Sequence, residues 1–278
     1  MKGILRHLAL ARLHDPVDED AFTLGLNAAR ATLAGESNGP AVIVWQGQGL
    51  PGDGRSAAGM AARWLALTPE TVLLDLPNDP LGPARALTTG FACATAEAPR
   101  SVLLIMASTQ VAVSVCLYAA AEATEAMGSA DDAVIELEAS AWRRVEAVPM
   151  ALVHGMLVSG DQRLWREQGA TPLLRELLTV SGSDPFRWLA AYPAERRALR
   201  AALASLPQDQ SAAPVEVVEV TEADDSLAPL LVLAQRRALP GSGLLLWLGG
   251  GEGAAWRVRP RVAGGSSPSP CVNEEACV

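Results

Sequence analysis

The side chains in this sequence most suited to chemistry are four cysteines, three histidines, an Asp79-Pro80 pair and a cluster of carboxylates near residue 220. A cysteine attacks only as a thiolate, which needs a cation, a metal or a helix N-terminus beside it. Cys93 sits inside a crowded apolar stretch and reads as core packing. Cys93, Cys116, Cys271 and Cys277 show no CxxC spacing and no histidine cluster. That argues against zinc and against a disulfide framework, and fits a reducing cytoplasm. His7 and His14 near the N-terminus read as solvated, and His154 in ALVHGMLV as a core or edge residue. No Ser-His-Asp set and no GxSxG is present. Asp79 reads as a helix-capping carboxylate rather than a base. Among Glu216, Glu219, Glu222, Asp224 and Asp225, the alternation of VEVVEV turns Glu216 and Glu219 outward, so these carboxylates read as a solvated face and not as metal ligands. The loop QGQGLPGDGR, Gln46 to Arg55, has the glycines of a phosphate cradle but neither GK[ST] nor GxGxxG spacing. No metal and no cofactor are expected.

The elements that would position these groups centre on 72–108. Val72 to Leu76 reads as a buried strand, and Asn78-Asp79-Pro80 as a helix start with Pro80 at the first helical position. Small and apolar residues from Leu81 to Ala98 predict an enclosed helix, and Val102 to Met106 a second buried strand, giving a parallel crossover unit. Before it, 16–35 predicts an amphipathic helix with Asp18 to Asp20 at its positive end, Pro40 to Trp45 a buried strand, and Ser56 to Leu67 a helix. Two segments echo each other: Leu81 to Leu87 followed by SVLLIMAS, and Leu227 to Leu233 followed by SGLLLWLG. A duplicated unit is the physical reading.

The spacing Asp75, Pro80, Gly82, followed by an apolar strand ending Ala107-Ser108, resembles the nucleophile region of the ketoacyl-synthase III branch of the thiolase superfamily. The resemblance extends over 16–262. GSADDAVIELE resembles the strand that closes the family's first half, and Gly243 to Val262 its closing glycine-rich hairpin, with Gly249, Gly250, Gly251 and Gly253 in the loop. The resemblance implies an α/β, thiolase-like αβαβα fold of two duplicated halves with mixed five-stranded sheets. It divides the chain at 1–155, a shortened 156–262, and a mobile Gly/Ser/Pro-rich tail at 263–278.

It also implies where chemistry should be. The family's nucleophilic cysteine falls on Pro80, its histidine on Ala191 or Tyr192, and its asparagine near Val220, Thr221 and Glu222, so no catalytic residue is retained. A pyrrolidine ring cannot attack a thioester, and a fold can outlive its chemistry. The resemblance therefore implies a non-catalytic subunit of a heterodimeric, or heterotetrameric, acyl-condensing enzyme, similar to the degenerate subunit of the alkylquinolone-forming pair. A Cys-His-Asn partner would act on acyl-CoA or acyl-carrier-protein thioesters in lipid, polyketide or other secondary-metabolite biosynthesis. The loop residues Gln46, Gln48, Leu50, Asp53 and Arg55 would shape that partner's site. The alternatives are a standalone acyl-thioester-binding or regulatory pseudoenzyme, and an enzyme with a relocated nucleophile.

Composition sets the remaining bounds. With 278 residues and 50% hydrophobic content, the chain can bury a large small-residue core. A net charge of −9 and a pI near 4.9 argue against nucleic acid and anionic membrane as partners. The most apolar run, Leu244 to Leu248, is too short to span a bilayer. A cytoplasmic location is expected.

Overall fold

The computed structural model describes residues 3–14, 20–36, 38–47, 55–79, 81–95, 101–119, 134–144, 152–153, 156–157, 188–191, 216–218, 226–235, 243–249 and 252–261. Strand β1 (Gly3–Arg12) leads to helix α1 (Ala21–Leu33), β2 (Val42–Gly47), α2 (Ala57–Trp64), β3 (Val72–Leu76), α3 (Gly82–Ala94), β4 (Val102–Ala107) and β5 (Val111–Ala119). Then come β6 (Val134–Arg144), the short pair β7 (Leu152–Val153) and β8 (Met156–Leu157), β9 (Trp188–Ala191), β10 (Glu216–Val218), helix α4 (Ala228–Gln235), β11 (Gly243–Gly249) and β12 (Glu252–Arg261).

Apart from the β7-β8 pair, the strands among the described residues form one ten-stranded sheet in the order β10-β9-β11-β12-β6-β1-β5-β4-β2-β3. Its two ends repeat one plan. In the first set, β2 runs parallel to β3 and β4, β4 turns back antiparallel into β5, and β5 pairs antiparallel with β1. In the second, β9 runs parallel to β10 and β11, β11 turns back into β12, and β12 pairs with β6. Each set is therefore a mixed five-stranded sheet, and the duplication expected from sequence is a duplication of topology. The sets meet along Gly3↔Leu137, Ile4↔Glu136 and Leu5↔Ile135. The echoed segments are α3 with β4 and α4 with β11.

One apolar layer lies between the sets. Leu87 and Phe91 of α3 and Leu230 and Leu231 of α4 share a core with Val44 and Leu104 on one side and Trp247, Trp256 and Val258 on the other. Phe91 stacks on Trp256 across it, ring centroids 5.0 Å apart. On the outer face of the first set, α1 and α2 cover Ile43, Trp45, Leu103 and Ile105. Four of the five expected layers are thus in place, and the outer helices of the second set fall outside the described residues. Side chains cap the two outer helices: Asp20 takes the Thr23 N–H at 2.7 Å, and Ser56 takes the Gly59 N–H at 2.9 Å.

Four expectations are corrected. First, β3 is an outermost strand, not a buried one, with Val72 and Leu73 38% and 42% exposed; an apolar run alone does not tell a central strand from an edge. Second, α3 begins at Gly82 and carries Pro83, not Pro80, in its first turn. The reason is that Asp79 makes a turn first: its side chain takes the Leu81 N–H at 2.8 Å and its carbonyl the Gly82 N–H at 2.9 Å. Third, β5 closes the first set, and the strand expected there opens the second. Fourth, by strand order the sets divide between Ala119 and Val134, ahead of the boundary expected at 155.

Candidate functional site

In a sheet of this kind, ligand sites form beyond the carboxyl ends of the parallel strands. In the first set that edge is Gln46-Gly47 of β2, with Leu76 of β3 on one side and Met106-Ala107 of β4 on the other. Gly47 has φ +131, and a Cβ there would collide with the Ala107 carbonyl oxygen. The strand ends thus approach more closely than a side chain allows.

The local folding that frames this edge is polar. Ser56 Oγ donates to Asp75 Oδ2 at 2.5 Å, and the Ala58 N–H donates to Asp75 Oδ1 at 2.9 Å. Asp75 at the end of β3 therefore pins the start of α2, where the loop returns to the sheet. Asp79, besides its turn, faces Arg85 Nη1 at 3.3 Å. Both of its carboxylate oxygens are engaged in structure, in a turn and an ion pair rather than in the helix cap expected of it, since the N-cap of α3 is Leu81 and has no side-chain cap bond.

The sequence-derived positions divide as follows. Pro80 lies outside the described residues, between the described Asp79 and Leu81. Ala191 is the last residue of β9, at the carboxyl end of the second parallel set, while Tyr192, Val220, Thr221 and Glu222 lie outside the described residues. Gln48, Leu50 and Asp53 are likewise outside them, and Arg55 is exposed immediately before α2. Gln46 requires a correction. It belongs to β2, is 1% exposed, and its amide packs against Gly82 at the start of α3. Period-two alternation from Val42 and Val44 turns it into the central layer, so it cannot reach toward another chain. Gly249 and Gly253 face Glu252 and Leu248 in the closing hairpin, whose Gly250 and Gly251 lie outside the described residues. Glu216 is in β10, but its side chain is outside them too, as are His154, Cys271 and Cys277. Among the described residues, no group of three His, Cys, Asp or Glu could hold a metal, and no helix is long and apolar enough to cross a membrane.

A buried polar cluster at the opposite end of the sheet escaped the sequence reading. His7, expected to be solvated, has a side chain only 14% exposed, with Nε2 3.3 Å from Glu36 Oε1. Tyr118 donates to Glu36 Oε2 at 2.5 Å, and the Arg6 guanidinium lies 5.7 Å from the centre of the Tyr118 ring. The cause is a β-bulge: register shifts between Arg6 and Ala9, and His7 takes φ 51. Leu5 and Leu8 then share the central face, leaving Arg6 and His7 toward α1. The legible signal was Leu5 and Leu8 spaced by three around two basic residues.

Cys116 belongs to this cluster. Burial pushes its thiol far above the usual range, and the Glu36 carboxylate pushes it the same way. It stays protonated, so the thiol and imidazole here do not make a relocated nucleophile. Tyr118 is raised by burial first and then by its bond to Glu36. A pKa raised on folding favours the native state below the unfolded group's pKa and loses that contribution as pH climbs above it. Stability is therefore expected to decline from about pH 8.5 upward, where the unfolded thiol ionises and the native one does not. Urea unfolding at neutral and alkaline pH measures this. Cys116→Ala should flatten the decline, and equal declines in both proteins would refute the assignment.

The fold is that of 3-oxoacyl-(acyl carrier protein) synthase III. Among solved structures, the enzyme FabH from Xanthomonas oryzae pv. oryzae superposes with TM-score 0.70 at 14% identity, over 93% of this chain and 99% of that one. FabH from Pseudomonas aeruginosa PAO1 gives 0.65 at 18% identity, over 94% and 99%. OleA from Xanthomonas campestris, solved with lauric acid and lauroyl-CoA bound, gives 0.65 at 13% identity, over 87% and 83%. No protein-family model and no curated protein matches the chain. At such identities the likeness is one of fold.

Proposed function

We propose that this chain is the non-catalytic subunit of a ketoacyl-synthase III-like condensing enzyme, held against a partner chain that keeps the Cys-His-Asn set. The observation that carries this reading is Pro80, a residue with no nucleophilic atom where the resembled family's cysteine stands, on a fold shared with acyl-condensing enzymes. The partner performs thioester acyl transfer and condensation; lauroyl-CoA in the OleA structure supports acyl-CoA or an acyl carrier protein as donor. The products belong to lipid, polyketide or other secondary-metabolite synthesis.

A docking surface is available for such a partner. Among the described residues β3 hydrogen-bonds to β2 alone, and Val72, Leu73 and Trp64, the last 60% exposed, leave apolar surface along that edge. An open apolar edge is a template for pairing with another chain. The loop ending at Arg55 follows β2, the strand beside β3, and Gln48, Leu50, Asp53 and Arg55 are the residues we assign to the partner's site.

Intact-mass spectrometry after incubation with lauroyl-CoA tests the reading. The chain alone should gain no acyl mass and release no free CoA, and in the co-expressed pair the acyl group should appear on the partner only. An acyl adduct on this chain would overturn it.

A further inference from the structure

One carboxylate sits on the strand offered to the partner and is tied to the end of the neighbouring loop. In the parallel pairing of β2 with β3, Ile43 stands beside Leu73 and Trp45 beside Asp75. Ile43 and Trp45 lie in the core beneath α1 and α2, so alternation places Leu73 and Asp75 on that same outer face. Asp75 is exposed there, as Leu73 is, on the strand that hydrogen-bonds to β2 alone among the described residues.

A short chain of hydrogen bonds joins it to α2. Ser56 Oγ donates to one oxygen of the Asp75 carboxylate and the Ala58 N–H to the other, while Ser56 Oγ accepts the Gly59 N–H. The carboxylate is thus fixed in rotation and faces the positive end of the helix. Little else holds that end. The helix spans 8 residues, and its buried side chains are the methyl groups of Ala57, Ala58 and Ala61. A helix this short is marginal without tertiary anchors. Gly47, before the stretch 48–55, is held by its pairing with Ala107, and Ser56, after it, by Asp75.

We infer that Asp75 is a positioning residue for the partner's site: it holds the start of α2, and with it Arg55, to the strand on which the partner docks. The inference rests on the pairing proposed above. A partner strand laid along β3 fixes the element that carries Asp75, so docking and the placement of Arg55 are set by one strand. Anchoring the loop at both ends removes an ordering cost that the complex would otherwise meet on assembly. A carboxylate serving only to start α2 would change the melting temperature and nothing in the partner's kinetics.

Condensation of lauroyl-CoA by the complex of the full chain with its co-expressed partner tests it, at a temperature below the melting of every variant used. Asp75→Ala should lower kcat about tenfold, while KM for lauroyl-CoA and the affinity of the two chains change by less than about threefold. Ser56→Ala should act in the same direction, and the double variant should be no slower than Asp75→Ala, because both remove the Ser56–Asp75 bond. Asp75→Asn, which keeps an acceptor for the Ala58 N–H, should recover most of the rate. A wild-type rate for the Asp75→Ala complex, or a loss explained by weaker association alone, would overturn the inference and leave the pairing intact. A wild-type chain that neither binds nor accelerates the partner overturns the pairing, and this inference with it.

Discussion

Gly47→Ala should lower the melting temperature by about 10 °C. Two costs add at one residue. The backbone sits at φ +131, which L side chains rarely adopt, and the new Cβ would meet the carbonyl oxygen of Ala107. That oxygen belongs to the backbone of β4, between β2 and β5, so it cannot move aside without breaking a ladder. Strain of about 1–3 kcal/mol and overpacking of similar size sum to about 4 kcal/mol. At roughly 2–4 °C per kcal/mol for a domain of this scale, the shift follows. Gly39→Ala is the control: its Cβ would find only Leu67 Cδ2, at 3.8 Å, and should change little. If Gly47→Ala melts with the wild type, the close approach of the strand ends is wrong.

The second large effect belongs to the stack between the sets. Phe91 projects from α3 and Trp256 from β12, both fully buried, with planes inclined by 25°. Truncating either to alanine should cost about 3–5 kcal/mol in urea unfolding. The double variant should cost less than the sum by about 0.5–1.5 kcal/mol, because the aromatic contact is lost only once. Simple additivity would mean that the two rings do not hold the halves together. This pair matters for function because α3 carries the segment that follows residue 80.

Much of the architecture was legible because apolar runs and caps act locally. PAVIVW and SVLLIMAS have the length and β-branched content of buried strands, and the acidic start of α1 ends in Asp20, which takes the Thr23 N–H. The duplication was legible because α3-β4 and α4-β11 solve the same packing problem twice. What failed depends on neighbours distant in sequence. VLLDL carries no sign that β3 has a single partner among the described residues, and nothing local assigns 134–144 to β12 rather than β5. The start of α3 shifted because Asp79 spends its carboxylate on a turn. At the site, the replaced nucleophile was visible as a letter, whereas the inward turn of Gln46 needed the strand register, and the Glu36 cluster needed contact between β1, β5 and the end of α1.

The central claim is that this chain serves a catalytic partner rather than reacting itself. The most direct measurement is the condensation rate of an intact ketoacyl-synthase III-like chain co-expressed as the candidate partner, with and without this one, together with native mass spectrometry of the mixture. A stable complex of equal stoichiometry, condensing at least about tenfold faster than the partner alone, is the predicted result. Two chains that stay separate, or a partner whose rate is the same in either case, would contradict it.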